Sequence, residues 1–201
     1  MTINLIRHGK PTVSLQEKVT GNQFLNFVER YDAAGIASDS IPPENTVTVV
    51  QKANVIFTSN SNRAIHSATI LQPQVKLINN AIFREINCWR AFSTKIEISA
   101  LGWGILCHIL WRLKISPTAE SINAVKHRAK QAAELLIQNH QLYGSIVLVA
   151  HAGINTFIAK ELMLLGWQSS QRINNQHWGC TKYSLPNSYF GNQLRAGQKE
   201  K

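Results

Sequence analysis

The residues of this sequence best equipped for chemistry fall in three short clusters: Arg7, His8 and Gly9; Ser59 and Arg63; and His151 and Gly153. Two guanidiniums and two imidazoles suit the gripping of a phosphoryl group, whose peripheral oxygens accept hydrogen bonds from charged donors. A neutral imidazole can also attack phosphorus, provided that its other ring nitrogen is held as a donor so that the tautomer is fixed. In that reading His8 is the nucleophile, Arg7 and Arg63 stabilise charge on the oxygens through the transfer, and His151 completes the clamp. Gly9 removes a side chain where the backbone must approach the phosphate. Ser59 and Gly153 read as mainly structural, Ser59 as the cap of a helix beginning near Ser61 or Asn62 and Gly153 as a turn residue. One Arg-His-Gly, or one histidine at a strand end, carries little weight. Three such clusters carry more.

What must position them is a sheet. Apolar residues dominate Ile3 to Ile6, Val55 to Phe57 and Ile146 to Ala150, short runs that suit buried strands of a parallel sheet. Each run ends at one of the polar clusters, and the second and third lead into helical patterns from Ala64 to Leu71 and from Ile154 to Leu165. A three-layer α/β/α sandwich with a mostly parallel central sheet is therefore expected, with the site at the carboxyl ends of the strands. The longest helical pattern runs from about Pro117 to His140, with Ser116 as cap. Its apolar stripe is Ile122, Val125, Ala129, Ala132 and Leu136, leaving Lys126, Arg128, Lys130 and Gln131 largely in water. Gly35 to Asn45, with its Pro42-Pro43 pair, reads as a loop.

Ile98 to Trp111 holds no Asp, Glu, Lys or Arg. It is shorter than the roughly 20 residues that a bilayer-spanning helix needs. Because Gly102, Gly104 and His108 interrupt it, it reads as a buried or lid-forming segment within a small cap insertion of about residues 90–116. Lys95, Arg112 and Lys114 flank it, so contact with a membrane surface is the alternative.

Composition bounds the rest. A chain of 201 residues that is 44% hydrophobic and 16% charged can bury a core without staples, and a single domain over residues 1–190 is expected. Cys88, Cys107 and Cys180 are odd in number and far apart, which argues against a disulfide framework and favours a reducing cytoplasm. The N-terminus reads as a first strand, not a signal peptide. The formal charge of +10 favours anionic partners. The basic residues are scattered except in residues 191–201, read as a solvated, disordered tail. No nucleic-acid motif is present, so a nucleic-acid partner is not expected.

Five segments, in order, resemble the histidine phosphatase superfamily, also called phosphoglycerate mutase-like. They are Leu5 to Pro11, Thr58 to Ala68, Phe83-Arg84-Glu85-Ile86, Glu120-Ser121 and Val147 to Gly153. The resemblance spans about residues 2–166. It implies a phosphohistidine at His8, oxygen binding by Arg7, Arg63 and His151, a proton donor at Glu85, and no metal or other cofactor. It also implies a small phosphorylated substrate, with inorganic phosphate as the product of hydrolysis. A partly buried carboxyl suits the acid role, because a leaving alkoxide needs a proton. Glu85 lies outside the three clusters, however, and a surface glutamate beside Arg84 is the bland alternative.

The sequence departs from the family pattern after Glu85-Ile86. Many members continue there with a Gly, a Trp-Glu pair and another Gly, whereas this chain has Asn87-Cys88-Trp89-Arg90. The outer wall of the pocket is expected from Val13 to Thr20, from the Gly35 to Asn45 loop and from the cap. Hydrolysis is favoured over mutase chemistry, since the extended mutase-type segments are missing. A catalytically silent phosphate-binding module is the reading from another class.

Overall fold

The computed structural model describes residues 2–72, 74–115 and 120–186. Its centre is a five-stranded sheet built from β1 (Ile3–Arg7), β3 (Val55–Thr58), β4 (Lys76–Asn79), β6 (Ile146–Ala150) and β7 (Cys180–Tyr183), in the order β4-β3-β6-β1-β7. All neighbours run parallel except β7, which lies antiparallel to β1. The sheet is the mostly parallel one that the apolar runs predict. Those runs are continuous because both faces are covered. On one face Leu5, Phe57 and Leu148 pack against α5 (Ile122–Tyr143) and α6 (Ala152–Leu164). On the other, Ile6, Ile56, Val147 and Val149 meet Val50 of α2 (Glu44–Gln51) and Ala68 and Leu71 of α3 (Asn62–Leu71). Each fully buried side chain of this kind contributes about 1.5–3 kcal/mol, and the alternation along each strand gives both layers their anchors.

A third apolar cluster lies outside the sandwich. The short strands β2 (Lys18–Thr20) and β5 (Glu97–Ser99) pair antiparallel. They bring α1 (Phe24–Ala33) against α4 (Ala100–Arg112), where Phe24, Phe27, Cys88, Trp103, Cys107 and Trp111 are buried together. The uncharged stretch from Ile98 to Trp111 is thus mostly helix α4. The glycines expected to interrupt it sit inside it. Gly102 accommodates Ile98, whose Cδ1 would lie 3.1 Å from a Cβ there, whereas a Cβ at Gly104 would make only ordinary contact with the Trp89 indole. Among the described residues no helix is long and apolar enough to cross a membrane.

The long helix departs from expectation in two ways. It begins at Ile122, with Ser121 as the cap accepting a hydrogen bond from Ala124 N–H; Ser116 and Pro117 lie outside the described residues, as does the basic tail. Arg128, expected in water, is buried. It is drawn in by a bidentate pair with Glu120 (2.8 and 2.7 Å) and by the carbonyls of Ile82 and Arg84 (3.0 and 2.7 Å). A buried guanidinium is tolerable only when paired and hydrogen-bonded in this way. The arrangement matters for the site, because residues 82–84 lead directly into Glu85.

Candidate active site

β3, β6 and β1 lie side by side and point the same way. Their carboxyl ends therefore place Ser59, His151 and His8 along one rim. His8 N–H donates to the carbonyl of Ala150 (2.9 Å), which extends the β1–β6 ladder by one residue and fixes where the imidazole leaves the sheet. His8 and His151 are buried, with ring centroids 5.1 Å apart and edge to face.

The protonation of His8 follows from its partners. Its Nδ1 lies 2.8 Å from the carbonyl of Gly9. A carbonyl only accepts, so Nδ1 carries the proton and Nε2 keeps the lone pair. Burial pushes the pKa of His8 well below its ordinary value, and the nearby charges of Arg63 and Arg7 push it further. Burial likewise depresses His151, with His8, Arg63 and Arg7 adding to the effect. Both rings are neutral near pH 7. His151 Nε2 is 2.8 Å from the hydroxyl of Ser59. Ser59 therefore orients a site histidine; the helix cap is Ser61.

The two arginines reach the same cavity from different directions. Arg63, in the first turn of α3, is buried, with its guanidinium 5.0 Å above the ring of Tyr31 and paired with Asp32 at 3.1 Å. Arg7 donates to the carbonyl of Asn175 at 2.7 Å. The buried Nε atoms of both arginines, and Nδ1 of His151, have no protein partner. Unsatisfied buried polar atoms are costly, and the two arginine Nε–H donors, on residues around one cavity, fit an anionic oxygen acceptor.

Glu85 lines the cavity with Arg7, His8, Arg63 and His151. It reaches it because the amino end of α6 holds its carboxylate. Ile154 N–H donates to Oε1 (3.0 Å) and Gly153 N–H to Oε2 (3.2 Å), while Ile86 N–H also donates to Oε1 (2.9 Å). An N-terminal helix turn offers free N–H groups and a favourable dipole for this purpose. Gly153 is more than a turn residue, since a Cβ there would come within 2.5 Å of Glu85 Oε1. The segment carrying Glu85 is braced from behind by Arg128 and Glu120. Burial alone would raise the pKa of Glu120, but hydrogen bonds and charge from Arg128, with further charge from Arg84, outweigh it and hold the carboxyl below its usual value.

Gly9 has a different job from the one its spacing suggests. Its N–H is taken by the hydroxyl of Ser67 (2.9 Å), and a Cβ would lie 2.2 Å from the Trp178 ring. Gly9 thus positions His8 through its carbonyl and leaves room for an indole. Trp178 is buried at a positive φ of 62° and cannot easily retreat. Gly9→Ala is expected to destabilise the fold by about 1–3 kcal/mol. In thermal unfolding this appears as a midpoint lowered by roughly 3–10 °C; an unchanged midpoint would remove the packing role.

Three neighbours escape sequence reasoning. His177 places its Nδ1 3.2 Å from the carbonyl of His8, with the rings 5.5 Å apart. Tyr31 and Asp32 come from α1, which no capping residue announces: Gln23 stands at its start and makes no side-chain cap hydrogen bond. That helix also corrects the expected outer wall. α1 and α4 form it, Leu15 is the sole contributor from Val13 to Thr20, and the Gly35 to Asn45 loop does not line the cavity.

Burial of neutral imidazoles has a consequence for stability. A folded-state pKa below the unfolded value means that the unfolded chain binds the extra proton first as pH falls. The stabilisation is full above about pH 6.5 and is lost as pH drops towards the depressed values of His8 and His151. Each imidazole then contributes a slope approaching about 1.4 kcal/mol per pH unit. Denaturant unfolding at pH 7 and pH 5 should show the loss in the wild type and a smaller one in His8→Asn. Equal losses would contradict the assignment.

With this geometry in place, the comparisons with known proteins converge. Residues 42–191 match the histidine phosphatase superfamily (branch 1), and the chain belongs to that superfamily. Its members carry out phosphatase and mutase reactions through a phosphohistidine. No curated protein matches the sequence significantly. Among solved structures, phosphoserine phosphatase from Entamoeba histolytica, in complex with phosphoserine, superposes with a TM-score of 0.57 at 16% identity, over 92% of this chain and 91% of that one. The alpha-ribazole phosphatase from Shigella flexneri gives 0.55 at 18% identity, over 93% and 96%. At these identities the likeness is one of fold.

Proposed function

We propose that this chain hydrolyses a small phosphomonoester by way of a phosphohistidine at His8. The observation that carries the reading is the bond from His8 Nδ1 to the Gly9 carbonyl. It leaves Nε2 as a buried lone pair on the cavity that Arg7, Arg63, His151 and Glu85 also line.

In the first half-reaction Nε2 attacks phosphorus in line, the P–O bond to the leaving group breaks, and Glu85 gives that oxygen its proton. Oε1 of Glu85 already accepts two N–H bonds and Oε2 only one. With about two acceptor positions per oxygen, Oε2 is the oxygen left to handle the proton. Arg7, Arg63 and His151 stabilise the charge spread over the peripheral oxygens. In the second half, water attacks phosphorus, the P–N bond breaks, and Glu85 takes the proton of the water. Phosphate leaves and His8 returns neutral. Turnover of a generic aryl phosphate, competitively inhibited by vanadate, tests the reading; a protein that binds vanadate without turnover would be a phosphate-binding module instead.

A further inference from the structure

We propose that the substrate's leaving group is apolar: an alkyl or aryl phosphomonoester whose hydrocarbon part lies between α1 and α4. This rests on the phosphate-site reading above and adds the substrate class. The cavity measures about 800 Å³, far more than a phosphoryl group fills. Its charged floor gives way to a wall of Leu15, Leu25, Val28, Trp89, Leu101 and Ile105.

Three of these aliphatics are substantially exposed where they line the cavity: Leu25 at 36%, Leu101 at 40% and Ile105 at 53%. Exposed aliphatics clustered at a cavity mark a surface that gains by being covered. Leu101 and Ile105 stand one turn apart on α4, and Ile109, at the next turn, is 51% exposed. A chain too long for the cavity therefore has an apolar track to follow.

Electrostatics points the same way. No lysine lines the cavity, Arg63 is paired with Asp32, and Arg84, half exposed to water, shares Glu120 with Arg128. The acids on the α1 side are Glu29 and Asp32. A second anionic group on the substrate would lose hydration among leucines and face Glu29, with only the water-exposed Arg84 as a cation. The polar side chains Asn60, Asn87 and His108, which also line the cavity, are exposed to water.

The test uses non-hydrolysable alkylphosphonates, methyl through octyl, titrated into the full chain by calorimetry alongside inorganic phosphate. Affinity should rise roughly three- to fourfold per methylene over the first several carbons. A carboxyalkyl phosphonate should bind at least about tenfold more weakly than its alkyl counterpart of equal length. Ile105→Asp, at an exposed position, should narrow the octyl-to-methyl affinity ratio by about tenfold. Affinity independent of chain length, or preference for the carboxylated ligand, would overturn the apolar leaving group while leaving the phosphate site standing. Failure of inorganic phosphate and every phosphonate to bind would overturn both.

Discussion

His8→Ala is expected to abolish turnover of an aryl phosphate, lowering kcat by at least about 10⁴-fold, with the far-ultraviolet spectrum unchanged. The size of the effect follows from the role. In the proposed reaction His8 Nε2 forms the covalent bond to phosphorus, while His151, whose Nε2 is held by Ser59, binds the peripheral oxygens. The arginines remain in the variant, so phosphate and vanadate should still bind. Loss of kcat with retained anion binding is the signature of a missing nucleophile; loss of binding alone would mean that His8 serves only as a donor.

Glu85→Gln carries the second large effect. Glutamine keeps an oxygen for the N–H groups of Ile154 and Ile86, loses the acceptor for Gly153 N–H, and cannot deliver a proton. For an alkyl phosphate, whose leaving oxygen needs protonation, kcat should fall by about 10²–10⁴-fold. For the phosphate of an acidic phenol the first step should be nearly spared. Hydrolysis of the phosphohistidine still needs a base, so that substrate should give a burst of phenol followed by a slow phase. Equal losses for both substrates, without a burst, would show that Glu85 only props α6.

Sequence and structure agree where local signals are strong. The runs ending at Arg7, Thr58 and Ala150 are continuously apolar because they are buried on both faces, and each strand end exposes a polar cluster. The parallel order of those strands then brings residues 8, 59 and 151 together. Glu85 was harder to place, since what puts it in the cavity is long-range. Its partners are the amino end of α6 and the Arg128–Glu120 pair, whose arginine the helical pattern places in water. An arginine on the polar side of an amphipathic stripe gives no hint that a glutamate eight residues upstream will pull it under.

Other features depended on contacts that no local pattern encodes. His177 and Trp178 precede an edge strand in which only Thr181 and Tyr183 are buried, too short an alternation to stand out. α1 mixes Asn, Glu, Arg and Asp with its aromatics, and its buried face turns towards the cap, where Phe24 meets Trp89 and Trp103. Gly102 and Gly104 suggest a break in isolation; in the fold both sit inside α4, where Gly102 lets the helix approach Ile98 closely. The thiols of Cys88 and Cys180, pushed up by burial to about 12 and about 11, are ill suited to nucleophilic chemistry.

The central claim is a covalent bond between phosphorus and Nε2 of His8, and rapid quenching with a radiolabelled phosphomonoester tests it most directly. Digestion at alkaline pH and mass spectrometry should place an acid-labile phosphate on the peptide that contains His8, at a level that rises in Glu85→Gln when the substrate is the phosphate of an acidic phenol. Turnover with no label, or label on a peptide other than that of His8, would contradict the account.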